Sequence, residues 1–142
     1  MPISGGLIPK RINRCQGNVY GPWPASGEID ILEARNDEWD TVYQAVHYGQ
    51  NWEKRKVKSK QVIHGTYPGM YQCYVLGWDA TGISWFINGF ETFSVGMAKP
   101  FDQKFHLIIN MAVGGAFCGM EPDPDWQQSD FRIRNLVVET AD

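Results

Sequence analysis

Several features are scarce or missing from this 142-residue chain, and each absence removes a class of protein. There is no run of about 18 apolar residues, so no helix of the chain is long and apolar enough to span a bilayer. Charge is sparse, at 20% of residues against 43% hydrophobic, a balance that argues against disorder. The net charge of −3 provides no general attraction to nucleic acid or to an anionic membrane. Only three cysteines occur, Cys15, Cys73 and Cys118, an odd number without metal-ligand spacing. One disulfide plus a thiol and three reduced thiols both stay open, with small buried thiols as the plainer reading. The opening residues, Met1 to Lys10, lack the apolar stretch of a signal peptide. That leaves an intracellular chain, or one whose natural start lies further upstream. Helical periodicity is missing too.

What the chain has in quantity is aromatic surface: six Trp, six Tyr and seven Phe. Most of these belong in a core. Indole also suits sugars, since a flat apolar face with one polar edge matches a ring with C–H faces and a hydroxyl rim.

The patterning predicts an all-β, antiparallel sandwich of seven or eight strands. Residues 28–34 alternate cleanly at first. Thr41 to His47, Met70 to Trp78, Ile83 to Ile87, Phe90 to Val95 and Phe131 to Glu139 read as further strands. Asp79 to Gly82 is a turn signal, and Asn88-Gly89 is a hairpin pair suited to positive φ. Phe105 to Val113 is apolar enough to predict a central strand buried on both sides. No repeat or linker divides the chain. It reads as a single domain over 1–142, with 1–19 as an irregular lead-in. Glu53 to Lys60, carrying Lys54, Arg55, Lys56, Lys58 and Lys60, reads either as an anion-binding loop or, more simply, as a solvated loop and lysine-protected edge strand.

The chemistry concentrates in Glu28-Ile29-Asp30-Ile31-Leu32-Glu33. On a strand, alternate residues share a face, so Ile29 and Ile31 point to the core while Glu28 and Asp30 point away from it. Two like charges so placed are destabilising. In a regular strand Glu33 would fall on the core face, a costly place for a lone carboxylate. One β-bulge between Asp30 and Glu33 resets the alternation and puts three carboxylates in a row. Retaining glycoside hydrolysis needs such a set: a nucleophile and a proton donor roughly 5–5.5 Å apart. The middle carboxylate can hold the nucleophile and keep the acid protonated. A solvent-facing polar stripe and a calcium site are the competing readings, although a straight strand offers calcium few carbonyls.

The stretch Trp23-Pro24-Ala25-Ser26-Gly27-Glu28-Ile29-Asp30-Ile31-Leu32-Glu33 resembles the signature of glycoside hydrolase family 16, in its laminarinase-like branch. Val46-His47-Tyr48-Gly49, Trp85-Phe86-Ile87-Asn88-Gly89, Pro100-Phe101-Asp102 and the run from Asn110 to Gly115 match in order. The resemblance implies a concanavalin-like jelly roll that hydrolyses internal β-linkages of a polysaccharide, β-1,3-glucan above all. It implies Glu28 as nucleophile, Asp30 as helper, Glu33 as acid/base, Trp23 as a sugar platform and His47 as a cleft histidine. Asn110 is a further cleft residue on the same ground. Trp52 and Trp126, in polar loops, are candidate subsite aromatics; Trp78 and Trp85 read as core. His64 and His106 have no partner at metal spacing, and His106 reads as a satisfied structural histidine. No cofactor or metal set is assigned. The family's structural calcium draws on N-terminal residues, with Asp130 as one conceivable ligand here. The family domain takes roughly 200–250 residues, whereas the motif here begins at Trp23. The expectation is therefore a partial domain lacking the N-terminal strands. An extracellular setting is implied for a full-length relative, with polysaccharide as partner and neither nucleic acid nor membrane. A non-catalytic glucan-binding or remnant protein on the same fold is the alternative.

Overall fold

Eight strands and no helix occur among the residues described by a computed structural model, namely 3–9, 20–35, 37–63, 70–117, 121 and 123–140. They are β1 (Ile3–Pro9), β2 (Glu28–Ala34), β3 (Thr41–Gly49), β4 (Arg55–Ile63), β5 (Tyr74–Trp78), β6 (Gly82–Ile87), β7 (Phe90–Gly96) and β8 (Phe105–Met111). A five-stranded sheet runs β4-β3-β2-β1-β8 and a three-stranded sheet runs β5-β6-β7, with every pairing antiparallel. The expected all-β sandwich is the fold found.

Local chemistry explains the turns. The carboxylate of Asp79 accepts hydrogen bonds from the Thr81 N–H and hydroxyl and from the Gly82 N–H, closing the β5–β6 turn. Asn88 and Gly89 both have positive φ, 51° and 86°, as a two-residue hairpin of this hand requires.

Between the sheets, Ile29, Val46, Ile83, Trp85 and Phe101 form one fully buried cluster. Ile29 and Val46 are cross-strand partners, so the core face of β2 and β3 is the one that carries them. Gln44, on that same face, is 1% exposed; its amide oxygen accepts the Thr92 hydroxyl of β7 at 2.8 Å. That bond ties the two sheets and satisfies a buried polar group.

Four expectations are corrected. Residues 3–9 of the supposed irregular lead-in form β1, wedged between β2 and β8. Its Gly5-Gly6 pair and terminal Pro9 mask the strand signal in the sequence, and the register with its two neighbours decides the conformation. The apolar run from Phe105 is not a central strand but the edge of the large sheet, with Ile109 exposed. Phe131 to Glu139 is not a strand: residues 123–140 join no ladder, and Asn135 at φ 56° interrupts any extended run. β-propensity without a partner strand is not enough. Trp78 is 37% exposed rather than core, because β5 is an edge of the small sheet; its N–H donates to the Phe101 carbonyl at 2.8 Å. Trp85 is core as expected, and the basic stretch does form an edge strand, β4. Cys73 is a free, exposed thiol, whereas Cys15, Cys118 and His64 lie outside the described residues.

Candidate active site

The pairing of β2 with its neighbours locates the bulge. Asp30 faces Ala45 and Glu33 faces Tyr43, so three steps along β2 match two along β3. On the other side Asp30 faces Gly6 and Leu32 faces Gly5, two steps against one. Both ladders are satisfied by one extra residue, Ile31, which is therefore the bulge residue rather than a second core isoleucine. The consequence is fixed by parity. Glu28, Asp30 and Glu33 oppose His47, Ala45 and Tyr43, alternate residues of β3, and so share one face. The bulge deduced from the sequence is present.

Backbone contacts hold this strand rigidly. The buried Trp85 indole donates to the Asp30 carbonyl at 2.8 Å from the opposite sheet. Gly27, just before Glu28, has φ +78°, and a Cβ there would meet Pro100 at 2.6 Å, so only glycine fits.

The two glutamates have opposed surroundings. Glu28 accepts the Trp23 indole N–H at 2.7 Å, and the charges of His47 and Arg55 also favour its anion. Burial and the neighbouring Asp30 outweigh these, so its pKa lies above the usual carboxylate value. Glu33 has no such donor among the described residues. Burial first, then repulsion from Asp30 and Glu28, pushes its pKa up to about 7. His47 Nε2 lies 3.1 Å from the nearly buried Asp30 carboxylate, and this partner raises the imidazole pKa against the opposing effect of burial. The other imidazole nitrogen, Nδ1, is buried without a partner among the described residues.

Trp23 extends the cluster outward. Its ring lies 6.3 Å from His47 and 5.1 Å from Trp52, which is 68% exposed. Arg55 stacks over both indoles, at 4.7 Å from the Trp52 centroid and 5.6 Å from that of Trp23. At the Glu33 end, the Tyr43 hydroxyl donates to Glu38, and its ring meets Phe117 edge-on at 5.6 Å. Arg35 pairs with Asp37 and Glu38 and donates to the Phe117 carbonyl, pinning the segment after β8 near this end.

Of the residues expected in the site, the structure brings together Glu28, Asp30, Glu33, Trp23, His47 and Trp52. Asn110 lies further off: Ser4 links it by register to Glu33 across β1, on the carboxylate face. Among the described residues Trp126 bonds locally, from its indole to Ser129 Oγ at 3.0 Å and from its backbone N–H to the Asp123 carbonyl at 2.9 Å. His106 also falls on the carboxylate face by register. Its buried Nδ1 has no partner among the described residues, where a satisfied histidine was expected. Asp130, the conceivable calcium ligand, is engaged by Arg132 and Gln128. Arg55, Tyr43 and Arg35 were missed as site residues. The β3–β4 register, which pairs Arg55 with Gly49, is what places it on the carboxylate face.

The antiparallel sandwich resembles the fold of solved glycoside hydrolase family 16 endo-glucanases, and the chain is similar in sequence to endo-1,3-beta-glucosidases and to a beta-1,3-glucan-binding protein. It is 31% identical over 134 residues to glucan endo-1,3-beta-glucosidase A1 of Niallia circulans, a match over 84% of this chain and 20% of that protein. It is likewise 31% identical over 137 residues to a beta-1,3-glucan-binding protein of Penaeus monodon, over 73% of this chain and 37% of that one. Its fold superposes on a glycoside hydrolase family 16 endo-glucanase from Bacteroides ovatus with a TM-score of 0.70 at 24% identity, over 84% of this chain and 51% of that one. The chain thus spans about half the length of these proteins or less. No family model matches it.

Proposed function

We propose that the chain carries the catalytic strand of a retaining endo-glycosidase acting on internal β-linkages of a polysaccharide, β-1,3-glucan first among them. The observation that carries this is the asymmetry of the two glutamates, because pairs of titratable groups with opposed environments divide acid from base. Glu28, hydrogen-bonded by Trp23 and flanked by two cations, is the nucleophile. Its carboxylate attacks the anomeric carbon as the glycosidic C–O bond breaks. Glu33, held protonated near neutrality, gives its proton to the departing oxygen. The same group, now a carboxylate, then takes a proton from the water that attacks the glycosyl-enzyme bond and releases Glu28. Asp30 fixes His47 and adds the negative charge that keeps Glu33 protonated. A polymer substrate fits an extracellular place of action, and the partner is the polysaccharide itself.

A second reading, glucan binding without hydrolysis, draws support from the similarity to the Penaeus monodon glucan-binding protein. Laminarin hydrolysis followed by proton NMR separates the two. The expected result is reducing ends that appear first as the β-anomer. An α-anomer appearing first sinks the double displacement, and binding without products favours the second reading.

A further inference from the structure

Residues 53–63 hold five cations and one anion in a chain of net charge −3. Lys56, Lys58 and Lys60 alternate on the face of β4 turned away from the carboxylates, where they protect an open sheet edge. Arg55 does not belong to that row. It pairs with Gly49, two positions from His47, and so falls on the face of Glu28. Its guanidinium lies over Trp52 and Trp23 at 4.7 and 5.6 Å. It is exposed, and none of the ion pairs among the described residues involves it. Its charge nonetheless reaches Glu28 and His47, where it is a minor influence against the rise in their pKa values. Protecting an edge requires none of this.

A guanidinium stacked on indole keeps its N–H groups in the plane, directed outward and suited to bidentate contact with sulfate or carboxylate. A sugar against these indoles therefore meets an unpaired cation at its rim. The neighbouring lysines add a long-range positive potential at the same end of the sheet.

We propose that Arg55 selects an anionic substituent, a sulfate ester or a carboxylate, on the sugar unit that stacks at Trp52, so that a β-linked glycan carrying such a group binds more tightly than its neutral counterpart. This rests on the cleft reading above and adds to it the charge of the substrate.

The test is a binding titration of the full chain carrying Glu33→Gln, which stops turnover while leaving Glu28 and Arg55 in place. The probes are laminarihexaose and its sulfated and carboxymethylated derivatives. At low salt one or both charged derivatives should bind about tenfold more tightly than the neutral one. Which derivative shows the gain identifies the anion. Adding Arg55→Gln should abolish the gain, so that charged and neutral probes bind alike. A triple Lys56→Gln, Lys58→Gln, Lys60→Gln variant should keep the gain and flatten its salt dependence. Equal binding of neutral and charged probes overturns this inference alone. So does a gain that survives Arg55→Gln and disappears with the lysines. No binding of any probe overturns the cleft reading with it.

Discussion

At the residue scale the site works by contrast. Glu28 must be ionised and Glu33 protonated for the first chemical step. The rate should therefore fall on the alkaline side as Glu33 titrates near pH 7, and on the acid side as Glu28 protonates above its ordinary 4.5. Glu28→Gln or Glu33→Gln should each cost about 10³-fold or more in rate while leaving the fold intact, checked by laminarin assay and circular dichroism. The same shift bears on stability. Because the folded pKa of Glu33 lies above its unfolded value of 4.5, the associated stability is fully present below about pH 4.5 and lost as pH rises through 7. Melting temperatures should fall across that interval in the wild type and less so in Glu33→Gln. Asp30→Asn removes the charge that raises both glutamates, so both limbs of the pH–rate profile should move to lower pH. His47 opposes this weakly once it has lost its partner, being the smaller influence on Glu33. Unchanged limbs in the Asn variant would show that Asp30 does not couple to the acid.

At the element scale, β2 shows what pleat geometry alone makes legible. A glutamate five places from another belongs on the opposite face of a regular strand, and the cost of burying it predicts a bulge. The ladder pairings then assign the extra residue to Ile31. Other elements were not legible for a shared reason: sheet position depends on partners that are distant in sequence. β1 hides behind two glycines and a proline. β8 looks central because it is apolar, yet it lies at an edge. Trp126 sits in a loop whose direction no local rule sets. Arg55 was recognised as charged but not placed, because its face follows only from the β3–β4 register. Deleting Ile31 tests the bulge directly. Glu33 should turn into the sheet interface, abolishing activity and lowering the melting temperature as a carboxylate is forced into apolar surroundings. A deletion variant that keeps wild-type turnover would show that the bulge does not set the alignment of the carboxylates.

At the scale of the whole molecule, apolar side chains remain in solvent at several separate places. Ile63 and Phe90 are each 77% exposed and Val138 81%, while Ile109 and Val113 lie near the β8 edge. Unpaired edges and exposed apolar patches favour association. The 142-residue chain should therefore elute from size exclusion at a volume that depends on its concentration, and should unfold with low cooperativity. A monodisperse monomer with a sharp, high-temperature transition would count against this. The interior offers a quieter way to follow the two sheets. The Trp85 indole proton, buried and bonded to the Asp30 carbonyl, can exchange with deuterated solvent only when the small sheet lifts from the large one. A single slowly exchanging resonance would thus time that parting, and with it the intervals during which the carboxylate row loses its support from behind.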